Sequence, residues 1–161
     1  MRSVVMALIL CGAPALAQDA PAAWKTLTAL AGTWEARTAS GGTITITLEL
    51  VAGDSTLVET YRTPSGKKTL TVFHADGKTL LATHYCAQGN QPRLALSPSS
   101  PGQRGLAFDF RDATNLASPQ ASHLHHLELE PQKDGTLRMA ETYRENGKDE
   151  TTVLLFRRTG P

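Results

Sequence analysis

Cysteine is scarce in this 161-residue chain; there are two, Cys11 and Cys86. That excludes a disulfide-stapled scaffold, in which several bridges replace a small core. Charge of one sign is lacking too. Sixteen Lys and Arg stand against fifteen Asp and Glu, a formal charge of +1. Nucleic-acid binding is driven by a basic excess, so no nucleic-acid partner is expected. Aromatic residues make up only 6%. No apolar run approaches the roughly 20 residues that a helix needs to cross a bilayer, so stable membrane insertion is not expected. What is present is 40% hydrophobic and 19% charged residues, the composition of one globular domain.

Residues 1–17 read as a cleaved secretory signal peptide. Arg2 supplies the positive start, residues 4–10 a short apolar run, and Ala15-Leu16-Ala17 a small-x-small cleavage site. A lipoprotein acylated at Cys11 is the minor alternative, because Leu10 stands where a small residue would be needed. Cleavage after Ala17 leaves residues 18–161 as a single domain with no net charge, in the periplasm or secreted. It also leaves Cys86 alone, so no internal disulfide can form. A small buried hydrophobe on a strand is the favoured reading of Cys86, ahead of a reactive thiol.

After a loose start, Trp24, Leu27 and Leu30 recur at helical spacing, and Gly32 stands where a helix would end. The periodicity predicts one short helix over 23–31. Everything beyond reads as strand and turn. Strands are expected at 33–38, 43–50, 56–63, 68–74, 79–86, 93–97, 105–111, 122–130, 136–144 and 150–158. Between them stand turn clusters such as Ser40-Gly41-Gly42, Pro64-Ser65-Gly66, residues 98–102, and Asn146-Gly147. Ten sequential antiparallel strands rarely stay an open sheet. They close into a barrel, which removes exposed edges. The expected fold is therefore all-β: a ten-stranded antiparallel meander closed into a barrel, with the helix plugging one end. A monomer is expected.

Leu30-Ala31-Gly32-Thr33-Trp34 places a Gly-x-Trp at the start of the first strand, just after the helix. This resembles the calycin barrels, which include the lipocalins, the fatty-acid-binding proteins and the nitrobindin-like barrels; ten strands look more like the last two. The resemblance implies that Trp34 covers the barrel floor, with an Arg of the last strand stacked over it. Arg157 or the adjacent Arg158 is in the matching place. Nitrobindin-like barrels hold haem through a His near the C-terminus, and residues 136–158 contain none. No cofactor is expected, with haem or a metal ion as minor alternatives.

Alternation of apolar and polar residues gives an inside face. It turns Leu57, Glu59 and Tyr61 inward, and likewise Leu137, Met139, Glu141 and Tyr143. The tetrapeptide Glu59-Thr60-Tyr61-Arg62 recurs as Glu141-Thr142-Tyr143-Arg144, which suggests the same hairpin solution used twice. Opposing Glu128 and Glu130 to Leu127 and Leu129 turns His123 and His125 inward and His126 outward. Leu70, Val72 and His74 are also expected inside, as are Ile44, Ile46 and Phe108. In 79–86 both faces are mixed, so the facing of His84 and Tyr85 stays open.

The candidate ligand-binding residues are Glu59, Tyr61, His84, His125, Glu141 and Tyr143. They would form a polar pole opposite an apolar wall, suited to a small, partly hydrophobic molecule with one polar end. His123-x-His125 can chelate zinc or copper only if a third ligand converges from His74, His84, Glu141 or Asp109. Two inward carboxyls raise paired-carboxylate hydrolysis, but a domain this small offers little surface for a polysaccharide. No nucleophile elbow, phosphate loop or dinucleotide fingerprint is present. The expected function is an exported small-molecule-binding barrel. The alternatives are an isomerase or cyclase using the same cavity for acid–base chemistry, and a protein-interaction barrel with a packed lumen. The leader assignment makes Gln18 the N-terminus of the exported protein. Intact mass and N-terminal sequencing check this; retained residues 1–17 or a lipid on Cys11 would refute it.

Overall fold

The computed structural model describes residues 20–98 and 105–161. The leader, Cys11 and residues 99–102 of the Pro/Ser turn lie outside them. The chain opens with α1 (Ala20–Thr28) and continues through β1 (Gly32–Arg37), β2 (Thr43–Val51), β3 (Thr56–Arg62), β4 (Lys68–Asp76) and β5 (Thr79–Tyr85). Next come β6 (Gln91–Leu96), β7 (Leu106–Thr114), β8 (His123–Pro131), β9 (Leu137–Glu145) and β10 (Lys148–Gly160). Each expected strand is present within a few residues of its expected bounds. Every neighbouring pair is antiparallel and sequential, and β10 returns to β1 to close the barrel. The sheet thus has no free lateral edge along its closed length.

The helix sits three residues earlier than its periodicity suggests. Its final turn tightens, with Leu30 N–H donating to Leu27 O and Ala31 N–H to Thr28 O, so regular helix stops at Thr28. Gly32 is not a helix cap. It opens β1 at φ +133°, and a Cβ there would stand 2.9 Å from the Gly160 carbonyl oxygen. Glycine is needed because the two ends of the barrel strand set meet there. Asn146 and Gly147, at φ 51° and 73°, form the tight turn that joins β9 to β10, the left-handed geometry that matches hairpin twist.

The closing seam carries Trp34↔Arg158 and Glu35↔Arg157, with an irregularity between Thr33 and Trp34. Directly opposed residues share a face. Arg158 therefore shares the inner face with Trp34, its guanidinium carbon 4.3 Å from the indole centroid. Arg157, the expected stacking residue, is exposed on the outer face beside Glu35. Arg158 also donates to the carbonyls of Ala29, at 3.0 Å, and Ala31, while Trp34 Nε1 donates to Leu30 O at 2.9 Å. One side chain pair thus ties helix, first strand and last strand together.

Around this tie the helix end of the barrel is apolar. Ala23 and Leu27 of α1 are fully buried, and join Leu30, Trp34, Phe73, Leu80, Phe108, Leu137 and Phe156 in one core. Phe73 and Phe108 meet with ring centroids 5.5 Å apart. The outer wall is polar where alternation places it: His126 bonds Asp109 at 2.7 Å, and Arg138 bonds Glu128 at 2.7 Å. No helix of the described residues is long and apolar enough to cross a membrane.

The inside face departs from expectation on two strands. On β4, Leu70 is exposed and Val72 and His74 stand on the same outer face, whereas Thr71 and Phe73 are buried inside. Phe73 lies opposite the buried Leu57 and Ala82. Its bulk fixes the phase of the whole strand, and the small Thr71 follows it inward. On β8 the register shifts between Leu124 and His126. This bulge makes Leu124, not His125, the residue opposite Tyr143. The inward set is Leu124, Leu127 and Leu129.

Truncating a buried tryptophan costs about 3–5 kcal/mol, and Trp34 also anchors the seam. Trp34→Ala is expected to lose the fold or melt far below the parent. A circular-dichroism melt checks this, and an unchanged midpoint would refute the floor assignment.

Candidate functional site

The rim half of the barrel is built differently from the helix end. β3 and β9 carry the repeated Glu-Thr-Tyr-Arg, and in both strands Glu and Tyr face the lumen. Glu59 lies between Leu48 on β2 and Thr71 on β4. Glu141 lies between Leu127 on β8 and Thr152 on β10. β5 adds His84, opposite Thr71. The structure brings together five of the six expected residues: Glu59, Tyr61, His84, Glu141 and Tyr143.

His84 organises one side of the cluster. Its Nδ1 is 3.0 Å from the Thr71 hydroxyl and its Nε2 is 3.3 Å from the Tyr143 hydroxyl. One nitrogen donates and the other accepts, as a neutral imidazole requires. Burial pushes its pKa down to about 4, so it stays neutral at pH 7. The Cys86 thiol stands beside Tyr143 at the rim; it follows the end of β5 rather than packing as a strand cysteine.

No ion pair reaches Glu59 or Glu141 among the described residues, and Glu59 Oε2 is buried without a hydrogen-bond partner. Burial, reinforced by the neighbouring Glu141 carboxylate, pushes Glu59 up to about 8. Burial alone pushes Glu141 up to about 7. Tyr61 rises to about 12 through burial and the two carboxylates, and burial raises Tyr143 further. Glu59 and His84 are only 1% and 2% exposed. Tyr61, Glu141 and Tyr143 keep part of their surface, so the cluster is closed beneath and meets solvent above.

His125 is not in this cluster. It stacks on Phe110 at 5.3 Å between ring centroids, and its Nδ1 lies 3.2 Å from His123 Nε2. Both imidazoles line a side cleft of about 570 Å³ with Leu116, Pro119 and Arg144. The β8 bulge is the cause. The signal for it was the odd spacing of Leu124 and Leu127, three residues apart, which unbroken alternation cannot place on one face. Thr71 was missed because Leu70 and Val72 outweighed the more decisive Phe73. The described residues contain no group of three or more His, Cys, Asp or Glu side chains arranged to hold a metal ion.

A closed ten-stranded antiparallel barrel with a short preceding helix is consistent with a calycin-like architecture. Compared with known proteins, the chain matches no family model and no curated protein.

The raised carboxyls predict how stability varies with pH. An unfolded Glu titrates near about 4.3. Between there and their folded values, the folded protein holds protons that the unfolded chain has released. Stability therefore falls as pH rises through this interval. His84 acts in the opposite sense below about pH 6.5, the ordinary histidine value, so the carboxyl effect stands alone between about pH 6.5 and 8. Over that range the melting temperature should fall. Glu59→Gln and Glu141→Gln should each flatten the fall and raise the midpoint at pH 8. Melts of the parent and both variants across this range check it.

Proposed function

We propose that the protein is an exported small-molecule-binding barrel. Its ligand places a polar end at Glu59, Tyr61, Glu141 and Tyr143 and an apolar body against Ile44, Ile46 and Leu127. The observation that carries this reading is Glu59 Oε2, a buried oxygen with no protein partner. A buried unsatisfied polar atom costs about 1–3 kcal/mol. A polar ligand group at that oxygen would recover the loss. The rest of the domain supports the same reading: the helix end is packed as a foundation, and polar side chains gather only toward the rim. The compartment follows from the leader sequence, and periplasm or secretion are its two outcomes.

A second reading draws on the same carboxyls. Held near 7 and 8, they suit proton transfer at neutral pH, as in an isomerase or cyclase. Turnover of the bound molecule would separate catalyst from carrier.

Native mass spectrometry of the protein purified from its own source tests the binding reading. A co-purifying small molecule is the expected result, and an unliganded mass under gentle desolvation counts against it. For that molecule, Tyr143→Phe and Glu141→Gln should each weaken binding several-fold, with melting midpoints that show the fold intact. Unchanged affinity in both variants would refute the rim cluster as the site.

A further inference from the structure

We infer that the polar end of the ligand is a cation, an organic ammonium group, and that the protein gives up a proton when it binds. This rests on the binding reading above and names the chemistry of the same site.

The inference starts from what faces the two carboxyls. From β2 come Ile46 and Leu48, and from β8 come Leu124 and Leu127, all apolar and buried. β4 offers Thr71, β5 offers His84, β3 and β9 offer Tyr61 and Tyr143, and β10 offers Thr152 and, at the rim, Glu150. Cys86 stands beside Tyr143. None of these is a cation, since His84 is held neutral by burial. The arginines nearest the rim are engaged outside. Arg93 pairs with Asp112, and Arg144 pairs with Asp149 at 2.6 Å and 2.7 Å. Arg62 follows Tyr61 on the outer phase of β3 and is exposed. Two carboxyls and two phenol rings thus converge, and among the described residues no cation pairs with either carboxyl; Lys148, exposed at the mouth, lines a rim cleft with Tyr143 and Glu150 and makes no ion pair with Glu59 or Glu141.

An ammonium group fits that environment in three ways. Its three N–H donors match the free Glu59 oxygen, the Glu141 carboxyl and a tyrosine oxygen. Its charge is stabilised by the faces of Tyr61 and Tyr143. Its approach makes ionised carboxyls favourable where burial had disfavoured them. The balance is simple. The ammonium keeps its proton, a carboxyl loses one to solvent, and the bound complex holds an ammonium–carboxylate pair. A carboxylate ligand meets the reverse situation, because it would add negative charge to a site that already lacks a cation.

Calorimetric titration of the exported protein with matched probes tests this. The probes are n-octylammonium, 1-octanol and n-octanoate, together with benzylammonium, benzyl alcohol and benzoate for a flat body. Each is titrated at pH 6.5 in two buffers of different ionisation enthalpy. The expected result is that an ammonium probe binds at least about tenfold tighter than its alcohol and its carboxylate, the scale of one charge-assisted hydrogen bond. Its heat should differ between buffers by the release of a proton. Glu59→Gln and Glu141→Gln should each remove about tenfold of the ammonium affinity, the double variant should abolish the proton release, and the alcohol should lose less affinity than the ammonium in each. Their melting curves report folding separately. If the alcohol or the carboxylate binds as tightly as the ammonium, or if the ammonium binds without proton release, the cation inference fails and the binding reading stands. If no probe of either body binds, both fail.

Discussion

The closure of β10 onto β1 is the constraint on which this structure depends, and its one buried aromatic contact fixes which face of β10 turns inward. Trp34 and Arg158 lie opposite each other across the seam, and the guanidinium covers the indole while bonding carbonyls that follow α1. A shift by one residue along the seam would exchange Arg158 for Arg157 and reverse which side chains of β10 face the interior. The helix could not then be fastened, and Phe156 would leave the core. The position of Glu141 on the inner wall follows from the same register, since β9 takes its phase from β10.

Given that register, the interior divides by polarity along the barrel axis. Toward the helix, aromatic and aliphatic side chains exclude water. Toward the rim, β3 and β9 each deliver a glutamate and a tyrosine from opposite sides of the circumference. The desolvation of two carboxyls without an ion-pair partner among the described residues is an energetic cost that the fold tolerates. Buried polar groups placed against stability are characteristic of binding and catalytic sites.

Much of this was legible in the sequence, for a physical reason. Turn residues punctuate the chain so regularly that ten strands and their meander could be read directly, and a meander of ten must close. Residues 56–62 and 137–145 alternate cleanly, so the inward placement of Glu59, Tyr61, Glu141 and Tyr143 could be read as well. The failures fall where alternation is ambiguous or broken. β4 has apolar residues on both faces, and only the neighbours of Phe73 decide between them. β8 contains a bulge, and beyond a bulge every inference from period two inverts, so unbroken alternation wrongly turns His125 inside. Arg157 and Arg158 are both arginine, so only the pairing partner of Trp34 could choose. His84 sits on a strand with mixed faces, and its role emerged from its two hydroxyl partners.

The axial division of the interior has a consequence for how such a chain can change. The residues that fasten the barrel, on β1 and β10, and those of the rim cluster, on β3, β5 and β9, are carried on different strands. A substitution at the rim cluster leaves the seam and the aromatic floor untouched, and replacing a buried carboxyl removes a burden from the folded state. Loss of either carboxyl is therefore thermodynamically downhill, and the rim interior can change without first reinforcing the scaffold. On the proposed binding function, selection for the bound molecule is what keeps Glu59 and Glu141 in place.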